Sequence, residues 1–376
     1  MAQAARLVGD ERPEDWLRLI RSRRVGPATF HRLVAEHGSV VAALSALPGI
    51  ARAAGVEGYE ACPVAVIARE IAEGRKVGAV PLLWGQAGYP VALMEVADAP
   101  PVLWALGDLG LLARPMVAMV GARNASSLGL RMARRLAEGL GEAGQVVVSG
   151  LARGIDAEAH RAALPSGTVA VLAGGVDVVY PEENAGLLAE IAQTGCVVSE
   201  QPLGCQPQTR HFPMRNRIIS GLARAVVVVE AAARSGSLIT AKDAADQGRE
   251  VLAVPGHPFD ARAAGCNQLL RDGATLVRGP QDVLEAMGLP RAEAVLRPVR
   301  AVRERPVPVA PAPAAPPGDL SAEILNRLGP SPVAEDQLIR DLALTPQAIA
   351  PTLVLLELEG RVLRQPGGLL SRIDNG

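Results

Sequence analysis

The sequence predicts an α/β protein with a doubly wound parallel sheet at its centre, a small helical domain before it and a winged-helix domain after it. In the middle of the chain, continuous apolar, β-branched runs alternate with helix-length segments. This alternation is typical of a parallel sheet that is covered on both faces. A proline-rich stretch, residues 306–317, separates this region from a shorter group of helical patterns.

Six buried strands are predicted in the main domain, and two shorter runs are expected to extend the edge of the sheet. The six are Met116–Gly121, Val146–Gly150, Thr168–Ala173, Cys196–Ser199, Ala225–Glu230 and Val251–Pro255, and the edge runs are Val80–Trp84 and Val102–Leu106. Strands that alternate with helices in this way form a Rossmann-like sheet. We expect this domain to occupy residues 79–290.

Residues 1–78 are predicted to form a helical domain of the SAM or helix-hairpin-helix type, because glycine and proline interrupt its short helical patterns. The candidate hairpin turns are Val25–Pro27 and Leu47–Ile50. Such turns can offer backbone N–H groups to a DNA phosphate, although the proline in each turn lacks that donor. A bundle that serves packing or protein contact is the alternative.

The C-terminal part is predicted to be a linker over residues 291–318 and a winged helix over 319–376. Its third helix should begin at Thr345 and end near Glu359, followed by a hairpin wing. Residues 321–376 contain five arginines and seven acidic residues, a net charge of −2, and the third helix carries no basic residue. This pattern favours packing or protein contact over reading of a DNA groove.

Composition narrows the class of protein. With 49% hydrophobic residues, 20% charged residues and a net charge of −1, the chain can bury a core and is not globally basic. No apolar run reaches the roughly 18 residues of a membrane span, and the N-terminus lacks a signal-peptide core, so we expect a cytoplasmic protein without membrane contact. The four cysteines form no CxxC pair, so no metal site is predicted. No catalytic residue or cofactor is predicted, and a non-enzymatic role is expected.

Glycine, serine and arginine residues follow the predicted strands at the points where the strands end. Gly121 and Arg123 follow the first strand of the main domain, Ser149 ends the second, and Ser235 and Gly236 follow the fifth. The carboxyl ends of parallel strands form one edge, where ligands bind and helix N-termini favour anions. The sequence therefore predicts an anionic ligand at this edge. The GxGxxG and P-loop fingerprints are missing, which disfavours a nicotinamide cofactor and ATP.

The segment from residue 201 to 229 contains four arginines and no acidic residue. Its candidate site residues are Arg210, Phe212, Arg215, Asn216 and Arg217. A base can stack on an aromatic ring for about 1–3 kcal/mol while arginines bind phosphates, which predicts single-stranded nucleic acid as the ligand. The alternatives are a buried anchor for the phenylalanine and ion pairs for the arginines. With one aromatic ring per site, each protomer should hold few bases, so tight binding would require two linked sites.

Lys242 is one of two lysines in the chain and lies early in the helix that is predicted to follow Ser235–Ser237. A lysine in the first turns of a helix opposes the helix dipole. A bound phosphate would offset this cost, and exposure to water is the alternative explanation.

The central region closely resembles the DprA/Smf DNA-processing family over about residues 100–278. The resemblance is carried by VGARNAS, SGLARGIDAEAHRAAL, GGVDVVYPEEN, FPMRNRIISGLARAVVVVEAAARSGSLITAKDAADQGREVLAVPG and GCNQLLRDGATLV, in this order. It implies a homodimer that binds single-stranded DNA during natural transformation. Such a protein would relieve the block by single-strand-binding protein and load RecA recombinase.

Site residues follow from the same resemblance. Arg123 resembles a phosphate-binding arginine, and Phe212 resembles the residue that lines a base pocket, with residues 215–217 beside it. Lys242 and the Ser235–Ser237 turn also match. Some relatives carry lysine where this chain has Thr209, with Arg210 next to it, so that contact stays open.

Two other functions compete with this interpretation. A nucleotide or phosphoribosyl hydrolase of the lysine-decarboxylase-like type would carry a PGGxGT loop with a following glutamate, and here the corresponding AAARSGSLIT lacks both. A scaffold that binds only proteins would leave the arginine-rich segment unexplained, and it would show no salt-dependent DNA binding.

Overall fold

The computed structural model describes residues 12–289, 319–365 and 367–373, so the predicted linker lies outside the described residues. The strands of the central sheet are β1 (Val80–Leu83), β2 (Val102–Gly107), β3 (Met116–Val120), β4 (Val146–Ser149), β5 (Thr168–Val171), β6 (Cys196–Ser199), β7 (Ala225–Val228), β8 (Glu250–Ala253) and β9 (Thr275–Leu276). Their order is β1-β2-β6-β5-β4-β3-β7-β8-β9.

All eight predicted runs form strands of this sheet, and β9 is an additional short strand at its edge. Strands β3 to β9 pair in parallel, whereas β2 pairs antiparallel with both β1 and β6. From β3 the chain runs to one side through β4, β5 and β6, and from β7 it runs to the other. The sheet therefore reverses its order between β3 and β7, which is where open α/β sheets have a ligand crevice.

Helices cover both faces of the sheet, as the apolar strands predict. The helices before the predicted linker are α1 (Pro13–Ile20), α2 (Pro27–His37), α3 (Val40–Ala53), α4 (Val64–Val77), α5 (Val91–Met94), α6 (Ser127–Glu142), α7 (Ile155–Ala163), α8 (Ala185–Thr194), α9 (His211–Leu222), α10 (Ser237–Asp246), α11 (Ala264–Arg271) and α12 (Pro280–Ala286). Helices α9, α10 and α11 pack on one face. Helices α6, α7 and α12 pack on the other face, where α8 and the N-terminal helices extend the core.

The N-terminal helices bury Trp16 and Phe30 against each other, with ring centroids 5.1 Å apart. The predicted turn at Val25–Pro27 lies between α1 and α2. The prediction of a second turn at Leu47–Ile50 is wrong, because these residues lie inside α3. Leu44 and Leu47 are buried there, and their packing outweighs the backbone hydrogen bond that the internal proline cannot make.

The C-terminal part of the chain forms the predicted winged helix. Its elements are α13 (Leu320–Arg327), β10 (Val333–Ala334), α14 (Glu335–Asp341), α15 (Pro346–Leu358), β11 (Val362–Gln365) and β12 (Leu369–Arg372). Thr345 caps α15 as expected, since its hydroxyl accepts a hydrogen bond from the Ala348 N–H at 3.3 Å. The domain has its own core, and Arg262 ties it to the central domain by donating to the carbonyl oxygens of Asn326 and Leu328 at 2.5 and 2.9 Å.

Over the described ranges, no single helix is long and apolar enough to cross a membrane. Two strongly bent pairs, α2 with α3 and α14 with α15, reach that length and composition only when they are taken together.

Candidate nucleic-acid interface

The loop after β4 begins at Gly150 and lies at the carboxyl edge of the sheet, where hydrogen bonds to Asp156 hold it in place. The carboxylate of Asp156, in the first turn of α7, accepts hydrogen bonds from the backbone N–H groups of Gly150 and Ala152 at 3.1 and 3.4 Å. Between them Leu151 adopts a left-handed φ of 58°. This backbone conformation is energetically unfavourable for any residue that has a side chain. Burial raises the pKa of Asp156, and these hydrogen bonds and nearby Arg215 oppose that rise.

Arg215, on α9, is buried under this loop. Its guanidinium donates from one nitrogen to the carbonyl oxygens of Gly150 and Val171, at 2.6 and 2.7 Å. A side chain at Gly150 would collide with it, since a Cβ there would lie 2.0 Å from the guanidinium. Burial lowers the pKa of Arg215 to about 10, so the group stays charged at neutral pH. Arg215 therefore joins the ends of β4 and β5 to helix α9.

Two other predicted site residues also have their side chains inside the protein. Arg217 pairs with Glu200 at 2.5 Å and with Asp98 at 3.2 Å. The Ser149 hydroxyl is buried and donates to the Met119 carbonyl oxygen at 2.6 Å. The structure therefore does not bring the side chains of Ser149 and Arg217 to the surface of the edge.

Arg123 and Phe212 meet in a cleft beside the loop after β4. The Arg123 guanidinium lies over the Phe212 ring, 5.7 Å from its centroid, and the arginine is exposed. The cleft has a volume of about 410 Å³. Its other lining residues come mainly from the loops after β4 and β5, among them Gly150, Leu172 and Tyr180. Within the described residues Arg123 has no carboxylate at ion-pair distance. A cation that is not neutralised thus faces an open cavity next to an aromatic ring.

Tyr180 is a second aromatic residue in this cleft, with its ring centroid 5.5 Å from that of Phe212. The expectation of one aromatic ring per site is therefore wrong. Tyr180 follows β5 by nine residues, whereas Phe212 begins α9, and only the folded loops bring them together.

A wider groove of about 830 Å³ continues from the cleft along the ends of β3 and β7. Three predicted site residues, Arg123, Phe212 and Arg215, line the groove as well as the cleft. Four more line the groove alone: Gly121, Asn216, Ser235 and Gly236. The hydroxyls of Ser235 and Ser237 bond to each other at 2.6 Å where α10 begins. Arg234 and Arg262 line the same groove, and Arg262 is paired with Asp260 at 3.1 Å.

Arg210 and Lys242 lie outside the residues that line the cleft and the groove. Both are exposed, and in the described part of the chain neither forms an ion pair. Arg210 stands just before α9, one residue from Thr209, which does line the groove. The structure thus places Arg210 near the rim and Lys242 on the surface of α10.

Glu230 occupies the position at which a Rossmann-like sheet would hold a dinucleotide phosphate. It follows β7, and its carboxylate accepts hydrogen bonds from the backbone N–H and the hydroxyl of Ser126, at 3.0 and 2.5 Å, where α6 begins. A Cβ at Gly129 would lie 2.5 Å from this carboxylate. The helix N-terminus is therefore occupied by the carboxyl group of Glu230, at the place where a dinucleotide-binding domain holds its phosphate.

Several of these residues escaped sequence reasoning. Asp156 lies in the first turn of α7, and His160, four residues later on the same helix, bonds to the Thr168 hydroxyl at 2.7 Å and not to Asp156. Tyr180 carried a signal, since it stands in the segment GGVDVVYPEEN, between two predicted strands of a chain with few aromatics. Glu230 carried no such signal, because it ends an apolar run that resembles the other predicted strands. Across the described ranges, no three His, Cys, Asp or Glu side chains are grouped so that they could hold a metal ion.

Fold and site together define a three-part protein: a Rossmann-like domain whose dinucleotide position is filled from within, an arginine–aromatic cleft beside it, and flanking helical and winged-helix domains. The chain belongs to the DprA/Smf family. The model of DNA recombination-mediator protein A matches residues 81–288, that of the DprA-like N-terminal HHH domain residues 10–72, and that of the DprA winged helix domain residues 308–368.

Individual relatives agree with this assignment. DNA processing protein DprA of Streptococcus pneumoniae is 48% identical over 198 residues, which cover 52% of this chain and 70% of the relative. Protein Smf of Synechocystis is 37% identical over 306 residues, or 74% of this chain and 76% of the relative.

Two solved structures share the fold. The X-ray structure of DprA from Streptococcus pneumoniae has a TM-score of 0.58 at 38% identity and covers 70% of this chain and 98% of its own. DNA processing protein A from Helicobacter pylori, studied for its unique single-stranded DNA binding mode, has a TM-score of 0.52 at 30% identity and covers 56% of this chain and 95% of its own.

Proposed function

We propose that this protein binds single-stranded DNA in the cleft between Arg123, Phe212 and the loop after β4. The observation that carries the proposal is the exposed Arg123 guanidinium, which lies 5.7 Å from the Phe212 ring centroid and has no acidic partner in the described residues. An unneutralised arginine offers its hydrogen-bond donors to a phosphate, and the adjacent ring offers a stacking surface to a base.

The surroundings of the other predicted residues divide them into two groups with different roles. We assign ligand contact to the residues that line the groove or are exposed near it, which are Gly121, Asn216, Ser235 and Gly236 in the groove and the exposed Arg210 and Lys242. Ser149, Arg215 and Arg217 would instead hold the edge of the sheet in shape, since their polar groups bond to the protein itself. Their loss should therefore disturb binding through the fold.

A recessed ring favours a single strand over a duplex. The bases of a duplex stack on their neighbours inside the helix, so their faces cannot reach a side chain in a cleft without unpairing. A base in a single strand can reach the cleft without the cost of breaking a base pair. The relative from Helicobacter pylori, described for its single-stranded DNA binding mode, supports the same choice of ligand.

Family membership supports a role in DNA processing during transformation, and we propose three further features on that basis. The protein would load RecA recombinase onto the bound strand and relieve the block by single-strand-binding protein. It would act as a cytoplasmic homodimer, because two clefts on one strand bind more tightly than one. The role would be binding rather than catalysis, since the loop after β7 lacks the PGGxGT motif and following glutamate of the competing hydrolases.

The test is fluorescence anisotropy of a labelled oligo-dT with the wild type, Arg123→Ala and Phe212→Ala, over a series of salt concentrations. Each substitution should weaken binding by roughly 10-fold or more, since a charge-assisted contact or a stacked base is worth about 1–3 kcal/mol. Unlabelled duplex should compete poorly.

Arg135→Ala is the matched control, because Arg135 is also an exposed arginine and lies on α6, among residues that line neither the cleft nor the groove. It should leave the affinity almost unchanged. Binding that is equally insensitive to the Arg123, Phe212 and Arg135 substitutions would move the DNA site to a flanking domain. Release of free base from a nucleoside monophosphate would favour the hydrolase instead.

A further inference from the structure

Tyr180 differs from the other two tyrosines of the chain in having no visible structural task. The hydroxyl of Tyr59 donates to the Arg23 carbonyl oxygen, and that of the buried Tyr89 donates to the Pro100 carbonyl oxygen, each at 2.7 Å. The Tyr180 hydroxyl makes no hydrogen bond within the described residues, and the residue is 47% exposed. It neither fills a core nor fastens a loop through its hydroxyl.

The ring of Tyr180 instead stands at the junction of the two cavities. It lines both the cleft and the groove, as Phe212 and Arg123 also do. Its plane is tilted by 51° from that of Phe212, so the two rings touch without stacking face to face. A ring that is 47% exposed at this junction is then available to a ligand that already contacts Phe212.

The surroundings of the ring match a second base and not a second phosphate. Leu172 and Val178 make this part of the cleft apolar, and its nearby arginine, Arg153, is paired with Glu183. Arg123, which has no acidic partner in the described residues, lies over the Phe212 ring of the aromatic pair. A flat, weakly polar group such as a nucleobase fits the Tyr180 side better than an anion does.

The spacing of the rings also sets how the strand would lie. Their centroids are 5.5 Å apart, which exceeds the rise of about 3.4 Å between stacked neighbours in a duplex strand. Two successive bases could each reach one ring only if the strand is stretched and its bases are separated from each other. Such a geometry selects flexible, unpaired strands.

We propose that Tyr180 is a second base-stacking residue, so that each cleft holds two successive bases of an extended single strand, one at Phe212 and one at Tyr180. The proposal rests on the single-strand function proposed above and deepens it. It doubles the number of bases that one protomer can hold compared with a single-ring site.

The experiment measures the affinity of the full chain for abasic oligonucleotides that carry zero, one, two or three consecutive thymines at their centre. The wild type should gain affinity with the first thymine and again with the second, each by roughly 5- to 100-fold, and little with the third. Tyr180→Ala should keep one of these gains and lose the other. Tyr180→Phe should match the wild type, because the hydroxyl has no partner to lose.

Tyr180→Leu distinguishes stacking from simple support of Phe212. Leucine keeps an apolar contact with the neighbouring ring but offers no flat surface, so this variant should also lose one gain while retaining the wild-type thermal midpoint. Tyr180→Ala with both gains intact, or a wild type with a single gain, would overturn the proposal and leave the proposed function standing. Loss of both gains in Tyr180→Leu would show that the tyrosine only supports Phe212. A wild type with no gain from any thymine would refute the proposed function itself.

Discussion

The cleft of the central domain and the wing of the winged-helix domain both present arginines, but the two sets have opposite surroundings. Arg123 lies at the cleft without an acidic partner in the described residues. Arg364, on β11 of the wing, donates to both Glu335 and Glu357, and these two hydrogen bonds raise its pKa. Its neighbour Arg361 lies 3.6 Å from Glu359. An arginine can bind a phosphate readily only if it does not first have to leave a carboxylate.

The third helix of the winged helix differs from the cleft in a second way. Helix α15 exposes Val354, Leu355 and Leu358, the last to 82%, and carries no basic residue. A helix that reads a DNA groove places polar and basic side chains against the bases and backbone. The third helix of this domain therefore exposes apolar side chains where a helix that reads a DNA groove would expose polar and basic ones.

The two regions also differ in where they keep ionisable groups. The central domain buries Asp156, His160 and Arg215 close together under the carboxyl edge. The ion pairs of the winged helix, such as those of Arg364, are partly exposed. Buried charges without their partners are costly, whereas exposed pairs contribute little. Stability should therefore respond to charge changes in the central domain and not in the wing.

The largest expected effect is that of Arg215→Met. It leaves the carbonyl oxygens of Gly150 and Val171 without their donor and removes the positive charge near Asp156. The free energy of unfolding should fall by about 3–5 kcal/mol, a cost typical of removing one partner from a buried charged network. Urea denaturation followed by circular dichroism measures it.

Arg364→Met is the matched control in the wing and should change the free energy of unfolding by less than about 1 kcal/mol. Equal effects of the two substitutions would remove the distinction between the buried and the exposed arginine.

The pH dependence of stability should reveal His160. Burial, together with the positive charges of Arg215 and Arg161, lowers the pKa of the folded imidazole from 6.5 to about 3. Below pH 6.5 the unfolded chain therefore takes up a proton that the folded protein does not. The stability that depends on neutral His160 is complete above pH 6.5 and is lost as the pH falls toward 3, by up to about 1.4 kcal/mol per pH unit.

His160→Asn removes this titration and keeps an amide N–H at the position from which the imidazole Nδ1 bonds to the Thr168 hydroxyl. Because other buried groups titrate in both proteins, the informative quantity is the difference in unfolding free energy between wild type and variant at pH 7, 6 and 5. The variant should become more stable relative to the wild type as the pH falls. A difference independent of pH would mean that His160 accepts its proton inside the folded protein.

The smallest expected effect is that of removing the wing arginines on DNA binding. The double substitution Arg361→Ala and Arg364→Ala should change oligo-dT affinity by less than about 2-fold, because both side chains already contact carboxylates. Arg123→Ala should instead lower the slope of log affinity against log salt by about 0.7, the value for one phosphate contact on a single strand. A wing substitution with the larger slope change would place a DNA contact on the winged helix.

Sequence reasoning reached further into the fold than into the site. The apolar runs from Met116 to Val254 are long and β-branched, and a buried parallel strand imposes that pattern locally, so the strands could be predicted within a few residues. The turn predicted at Leu47–Ile50 failed because glycine and proline favour a break, whereas the decision lay in how α3 packs. Local signals do not report such packing.

The sequence by itself determined the Rossmann-like sheet, the flanking helical and winged-helix domains, the carboxyl edge as the place of the site, and the motifs of the DprA/Smf family. Only the tertiary structure decided which arginines are free. Arg123, Arg215 and Arg364 look alike in the sequence, yet one lies at an open cleft, one bonds to buried carbonyl oxygens and one bonds to two glutamates. Tyr180 and Glu230 likewise meet their partners, Phe212 and Ser126, only in the folded chain. The physical reason is that a side chain's charge and ring are local properties, whereas its partners come from segments far apart in the chain that meet only in the fold.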